Sequence, residues 1–290
     1  MNNIPTTGKL FATNQVSPDT ERCYKYQLRS FAEWMADSRH VHDMEDVTTA
    51  DLLAYRQSIQ HLAASSQNRY LAAIKSFFAW ALDTGLIEKN PAAGLKLPKA
   101  VSNRAPVFLT LDETRNLIAT ATLPRDISLL WCLAYGLRIA EAQALQIGDV
   151  AQPNGNGLGS LMVRGKGNKA RTVPISSEAY ETISAYVDDR TEGSLLLTLD
   201  GKRTISTSAI QARFKKLAIE AGIAPEKQHP HCMRHAFATR MLFDTKTIGG
   251  IYTVSKLLGH SRVAVTEIYL HCSQTQLEQA MLADPLGAGV

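Results

Sequence analysis

Four stretches of this 290-residue chain carry side chains of the kind that reaction centres use. In YGLRIAEAQAL, Arg138 closes an apolar run, where a guanidinium must reach solvent or find an anion, and Glu141 three residues on is one candidate partner. RGKGNKAR gathers Arg164, Lys166, Lys169 and Arg171 without an acid and sets Lys166 between two glycines. Such a lysine is either a mobile cation on a flexible finger or part of a solvated basic turn. The spacing of a phosphate-cradling P-loop is absent. In HPHCMRHAFATRM, His231 and Arg234 lie three apart and share a helical face, with His235 close by. His231 and His235 also have the i, i+4 spacing of a zinc motif. Cys232 stands where that motif needs a glutamate, however, and no third ligand offers itself beyond His229 or His260, so no metal is expected.

The fourth stretch, LLGHSRVAVTEIYLH, holds His260 and Tyr269. On one unbroken helix, nine positions at about 100° each would place them on opposite faces. Gly259 is a natural stop and Ser261 a natural cap, so helix, sharp turn and second helix are expected, and both side chains can then turn inward. Taken singly, Tyr269 reads as a core tyrosine with a wet hydroxyl.

The elements that must position these residues follow from periodicity and capping. Ser17 caps and Pro18 opens a helix over SPDTERCYKYQLRSFAEWMADS, with Tyr24, Leu28, Phe31 and Met35 on one stripe. TTADLLAYRQSIQHL is a second amphipathic unit. SSQNRYLAAIKSFFAWALDTG is a third, with Leu71, Ile74, Phe78 and Ala81 inward, Arg69 and Lys75 flanking and Gly85 as its stop. GLKLPKAVSNRAPVF, with two prolines and the cations Lys96, Lys99 and Arg104, reads as a linker whose charge would also suit a strap over phosphates. Beyond it, Thr110 and Glu113 form a capping box. DISLLWCLAYGLRIAEAQAL is a buried helix pair broken at Gly136, and SLMVRGKGNKARTVPIS is a β-hairpin with Leu161, Val163, Val173 and Ile175 on one face, delayed by the turn-rich insert PNGNGLG. Four or so further helices follow, up to SQTQLEQAML.

The fold class expected is mainly α with a small β-sheet, in two domains: a helical one over residues 14–95, a linker over 96–108, and a mixed domain over 109–290 with a tail helix. Hydrophobic residues make up 45% and charged residues 20%, which suits a globular chain. No apolar run approaches the ~20 residues needed to cross a bilayer, and the first residues lack the apolar segment of a secretory signal, so a cytoplasmic protein without a membrane partner is expected. The cysteines Cys23, Cys132, Cys232 and Cys272 are scattered, as reduced thiols are. A net charge of +4 permits a nucleic-acid partner without demonstrating one.

Taken together, YGLRIAEAQAL, VRGKGNKARTVPIS, HPHCMRHAFATRML and LLGHSRVAVTEIYL resemble the tyrosine recombinase family, the bacterial Xer proteins and phage integrases especially. SSQNRYLAAIKSFFAWAL resembles the family's N-terminal, SAM-like core-binding domain, which clamps DNA. The resemblance implies a site-specific recombinase acting on double-stranded DNA recombination sites, with Tyr269 as nucleophile. Arg138 and Arg234 would clamp the non-bridging phosphate oxygens, since a forked guanidinium fits them in a way lysine does not. Lys166 would protonate the leaving 5′-oxygen, His231 would accept or orient the Tyr269 proton, and His260 would hydrogen-bond the phosphate. Arg69, Lys75, Arg104, Arg164, Lys169 and Arg171 are the expected DNA contacts.

The resemblance further implies a 3′-phosphotyrosyl intermediate, no metal, ATP or other cofactor, and a homotetramer on two synapsed sites that exchanges strands through a Holliday junction, with or without a second recombinase or accessory proteins. Leu277, Ala280 and Met281 of the tail could dock on a neighbouring protomer or on their own domain. Ala142 and Ala144 replace bulkier residues common in the family, and DTKTIGGIYTVS is longer than its compact pattern. Both bear on how the nucleophile segment is held. A type IB topoisomerase and a DNA-binding architectural protein are the competing readings. The helical N-terminal domain and short chain weigh against the first, and the full set of catalytic residue types against the second.

Overall fold

The computed structural model describes residues 3–14, 18–98, 107–165, 169–243 and 250–259. Two compact units divide the chain between Asn103 and Arg104.

The N-terminal unit is helical. Helices α1 (Ile4–Thr13), α2 (Pro18–Arg39), α3 (Thr49–Ser58) and α4 (Ala64–Asp83) surround one apolar core. The α2 stripe is as the periodicity requires: Leu28, Phe31 and Met35 are buried and Tyr24 packs partly against them. From α4, Leu71, Ile74, Phe78 and Ala81 point inward, and Gly85 ends the segment with φ +72°. Aromatic edges lock the helices together, Phe31 lying 5.0 Å from Tyr55 and 6.3 Å from Phe78, both T-shaped. Ahead of the expected boundary at residue 14, α1 belongs to this same core through Ile4 and Phe11. Its sequence IPTTGKLFAT contains both Pro5 and Gly8, poor helix formers, and packing overrides that propensity. A Cβ on Gly8 would sit 3.4 Å from the Leu28 Cβ, so the missing side chain allows α1 to lie close on α2.

In the C-terminal unit the Thr110 and Glu113 capping box opens α5 (Leu111–Thr120), each side chain meeting the other's backbone N–H. Helix α6 (Pro124–Ala134) is the buried centre. Its fully enclosed Asp126 is held by Arg125 at 2.7 Å and by Arg213, from a helix later in the chain, at 2.6 Å, a pairing that a buried carboxylate requires. Gly136 breaks the chain with φ +81° before α7 (Ile139–Ala144). Strands β1 (Val150–Ala151), β2 (Leu158–Arg164) and β3 (Ala170–Ser176) form an antiparallel sheet in that order. The hairpin register pairs Leu161 with Val173 and Val163 with Arg171, so Leu161, Val163, Val173 and Ile175 line the buried face. The two-residue β1 was not legible in the sequence. Helices α8 (Ser177–Val187), α9 (Thr207–Glu220), α10 (His231–Phe243) and α11 (Gly250–Leu258) complete the described part, α11 ending at Gly259 with φ +65°. The cap at Ser17, the hairpin tip at 166–168, and the second helix and tail expected after Gly259 lie outside the described residues. Among the described residues no helix is long and apolar enough to cross a membrane.

Gly136 is the turn on which α6, α7 and α10 depend. A Cβ there would lie 2.6 Å from Cδ1 of Phe237, on a backbone that L-residues rarely adopt. Gly136→Ala should cost about 2–3 kcal/mol in urea unfolding, against about 1 kcal/mol for Gly222→Ala, whose φ of +68° is similarly unusual but whose Cβ meets nothing within 4 Å. Equal losses would show that the Phe237 contact contributes nothing.

Candidate active site

Residues from three separate elements of the C-terminal unit meet around one carboxylate. Arg138 is the N-cap residue of α7, and its backbone N–H donates to Oε2 of Glu141 at 2.8 Å while its Nη1 donates to Oε1 at 2.8 Å. Arg171, from β3, grips the same carboxylate with both forks, Nη1 to Oε1 and Nη2 to Oε2 at 2.9 Å each. From α10, Arg234 brings Nη1 to within 3.8 Å of Oε2. Glu141 is 5% exposed and Arg234 3%, whereas the Arg138 side chain keeps 37% of its surface open.

The end of α11 supplies the second anchor. Its last carbonyls have no intrahelical donors, and a guanidinium is a natural partner for them. Leu257 O accepts from Arg171 Nε at 2.8 Å. Leu258 O accepts from Arg234 Nη2 at 2.7 Å and from Arg138 Nη1 at 3.4 Å. Arg234 Nη1 also donates to the carbonyl of Gly136, at the turn between α6 and α7. Two guanidiniums from positions 138 and 234 therefore share one carboxylate and one backbone oxygen, two residues before His260 in the chain.

Burial alone would raise the Glu141 carboxyl, but the Arg171 bonds, the Arg138 backbone N–H and the two positive charges outweigh it and bring it from an ordinary 4.5 down to about 2. Three guanidiniums against one carboxylate leave an excess of positive charge, suited to an anion. His231 opens α10 one turn before Arg234 and is exposed. Partial withdrawal from water, then the charges of His229, Arg234 and Arg138, hold its imidazole below the ordinary value, although its side chain still opens to solvent. That shift favours the neutral imidazole, the form able to accept a proton. One turn further on, His235 is lowered to about 4, chiefly by burial.

Of the expected catalytic residues, the structure brings together Arg138, His231 and Arg234. Lys166, His260 and Tyr269 lie outside the described residues, as does Arg104. Gly165 N–H bonds Lys169 O at 2.9 Å and closes the base of the hairpin tip that holds Lys166. Among the expected DNA contacts, Arg69 and Lys169 are exposed. Arg164 is half exposed, paired with Asp149 at 2.9 Å, and Lys75 donates to Leu95 O at 2.8 Å within its own unit.

Arg171, expected among the DNA contacts, is turned inward: its three bonds run to Glu141 and to Leu257 O, and its side chain is 13% exposed. The signal was in the strand period: Arg171 has the parity of Val173 and Ile175, which places it on the buried face, where it needs an acid. Glu141 is correspondingly more than the partner of Arg138 alone.

Residues 107–276 match the phage integrase family, and residues 7–85 match its N-terminal SAM-like domain. The chain belongs to this family: it is a tyrosine recombinase, a DNA strand-transferase by class. It is 33% identical over 276 residues to the tyrosine recombinase XerC of Xanthomonas campestris pv. campestris strain B100, covering 92% of this chain and 83% of that one. In fold it is similar to the XerH site-specific recombinase bound to difH substrate in a pre-cleavage complex, with a TM-score of 0.76 at 17% identity over 97% of this chain and 94% of that one. The Tn1549 transposon integrase in complex with circular intermediate DNA gives 0.73 at 18% identity over 97% and 99%.

Because the Glu141 carboxyl ionises more readily folded than unfolded, it contributes stability that is fully present above about pH 5 and is lost as pH falls toward about 2. Glu141→Gln should lower stability at pH 7 by on the order of 3 kcal/mol and flatten the loss between about pH 5 and pH 2. Urea midpoints across that range check this, and matching midpoints for variant and wild type at pH 7 would overturn it.

Proposed function

We propose that this tyrosine recombinase cleaves and rejoins duplex DNA at a specific site through a 3′-phosphotyrosyl intermediate on Tyr269. The observation that carries this reading is the meeting of Arg138 and Arg234 at the Leu258 carbonyl, at the helix end from which the chain continues to His260 and Tyr269. In the proposed step the Tyr269 oxygen attacks the scissile phosphorus and the bond from phosphorus to the 5′-oxygen breaks. The phenolic proton passes to the neutral His231 imidazole, and the leaving 5′-oxygen takes a proton from the Lys166 ammonium. Negative charge growing on the non-bridging oxygens is met by Arg138 and Arg234, with His260 as a further donor. The phosphotyrosine conserves the bond energy, so a 5′-hydroxyl of another strand can displace Tyr269 and reseal the backbone without ATP.

Exchange between two sites in this way calls for four protomers on two duplexes and a Holliday junction between the strand-exchange rounds. Exposed Arg69 and Lys169, with Arg104 in the connecting segment, are the cations proposed to meet DNA phosphates. Relatives described as bound to DNA, among them the XerH and Tn1549 proteins, support a DNA partner here.

A duplex selected by this protein from a random-sequence pool, then nicked beside the cleavage point to trap the intermediate, provides the test. A covalent adduct should appear on a denaturing gel and vanish in Tyr269→Phe while the mobility shift persists. An adduct that survives the substitution would name a different nucleophile. Lys166→Ala should slow cleavage by about 100-fold or more, and a bridging sulfur in place of the 5′-oxygen, which leaves without a proton, should restore it. Failure of the sulfur to rescue would remove Lys166 from the general-acid role.

A further inference from the structure

The bonds made by Arg171 join parts of the chain that the proposed chemistry must keep in register. It lies on β3, five residues after Lys166, and its Nε reaches Leu257 O, three residues before His260. Both its forks close on Glu141, which in turn fixes the backbone and side chain of Arg138. The next carbonyl along, Leu258 O, is the one shared by Arg234 and Arg138. Space around the guanidinium is tight. A Cβ on Gly259 would come within 2.8 Å of Arg171 Nη1, and one on Gly165 would lie 3.5 Å from Glu141 Oε1 and 3.7 Å from Arg171 Nη1. Glycines thus stand where the hairpin finger leaves the pair and where the chain leaves α11.

We infer that Arg171 is a positioning residue for strand cleavage, holding the base of the β2–β3 hairpin, the Arg138–Glu141 pair and the end of α11 in one arrangement. Among the described residues its side-chain bonds go to Glu141 and Leu257 O, so its role is to place other groups. Its planar fork supplies two bonds to the carboxylate while Nε supplies a third to Leu257 O at the end of α11, and a lysine, being a single charged point on a flexible stem, cannot make all three. With Arg171 gone, Arg138 and the segment leading to His260 lose their common reference. Misplacement of reacting groups by about 1 Å costs on the order of 100-fold in rate. The inference rests on the reading of Tyr269 as nucleophile.

The experiment uses the full-length protein and the selected, nicked duplex under single-turnover conditions. Burst amplitude measures the competent fraction, the rate constant measures positioning, and a mobility shift measures DNA affinity. For Arg171→Lys, the cleavage rate constant should fall at least about tenfold, with amplitude and affinity within about twofold of wild type. If the rate constant stays within about threefold, or if only the amplitude falls, Arg171 merely supports the fold and the inference is overturned. Arg171→Lys combined with Glu141→Gln should cleave no more slowly than the slower single variant, since both act through one pair, and multiplied losses would overturn the shared path. Tyr269→Phe on the same duplex separates the two readings: an adduct surviving there sinks the nucleophile assignment, whereas Arg171→Lys cleaving at the wild-type rate sinks this one.

Discussion

One buried carboxylate organises the catalytic unit. Alone in that interior Glu141 would be driven to protonate, and Arg234, just as deeply enclosed, would be equally ill placed without an anion. Each makes the other tolerable, and Arg171 and Arg138 complete the set. Because those four residues come from α7, β3 and α10, the need to neutralise a few ångströms of interior fixes how a helix, a hairpin and a second helix stand with respect to one another. Positive charge is left in excess, and Arg138 carries its share to a partly exposed position.

The same guanidiniums solve a second problem. A helix that ends inside a protein leaves its final carbonyls without donors, and α11 ends between β3 and α10. Leu257 and Leu258 obtain their partners from Arg171, Arg234 and Arg138, which also oppose the negative pole of the helix dipole. Gly259 then turns the chain away with a backbone that accommodates the Arg171 guanidinium at close range. Ala142 is fully buried in the core of the C-terminal unit.

The N-terminal unit follows different rules. Its core is aromatic and aliphatic, with Phe31, Tyr55, Phe77 and Phe78 in edge contacts, and the closeness of its first two helices depends on a glycine. Arg39 paired with Asp51 at 2.8 Å ties the end of α2 to the first turn of α3. Exposed Arg69 stands on the outer face of α4, while the nearby Lys75, equally cationic in sequence, spends a donor on Leu95 O.

Periodicity, caps and breakers are local properties, and they settled most elements from the residues alone: the α2 stripe, the Thr110 box, the break at Gly136, the hairpin with its four inward side chains and the stop at Gly259. The order of Arg138, Lys166, His231, Arg234, His260 and Tyr269 was enough to point to the family. What the basic run taken as a run did not settle was which of its cations face outward. Arg164, Lys169 and Arg171 are alike in a basic run, yet one pairs with Asp149, one is exposed and one is buried on Glu141. Likewise α1, with a proline and a glycine inside it, becomes a helix because Ile4 and Phe11 find a core to enter. Charge and propensity belong to a residue, whereas a buried partner 30 positions away exists only once the chain has folded, and that partner draws Arg171 into the cluster.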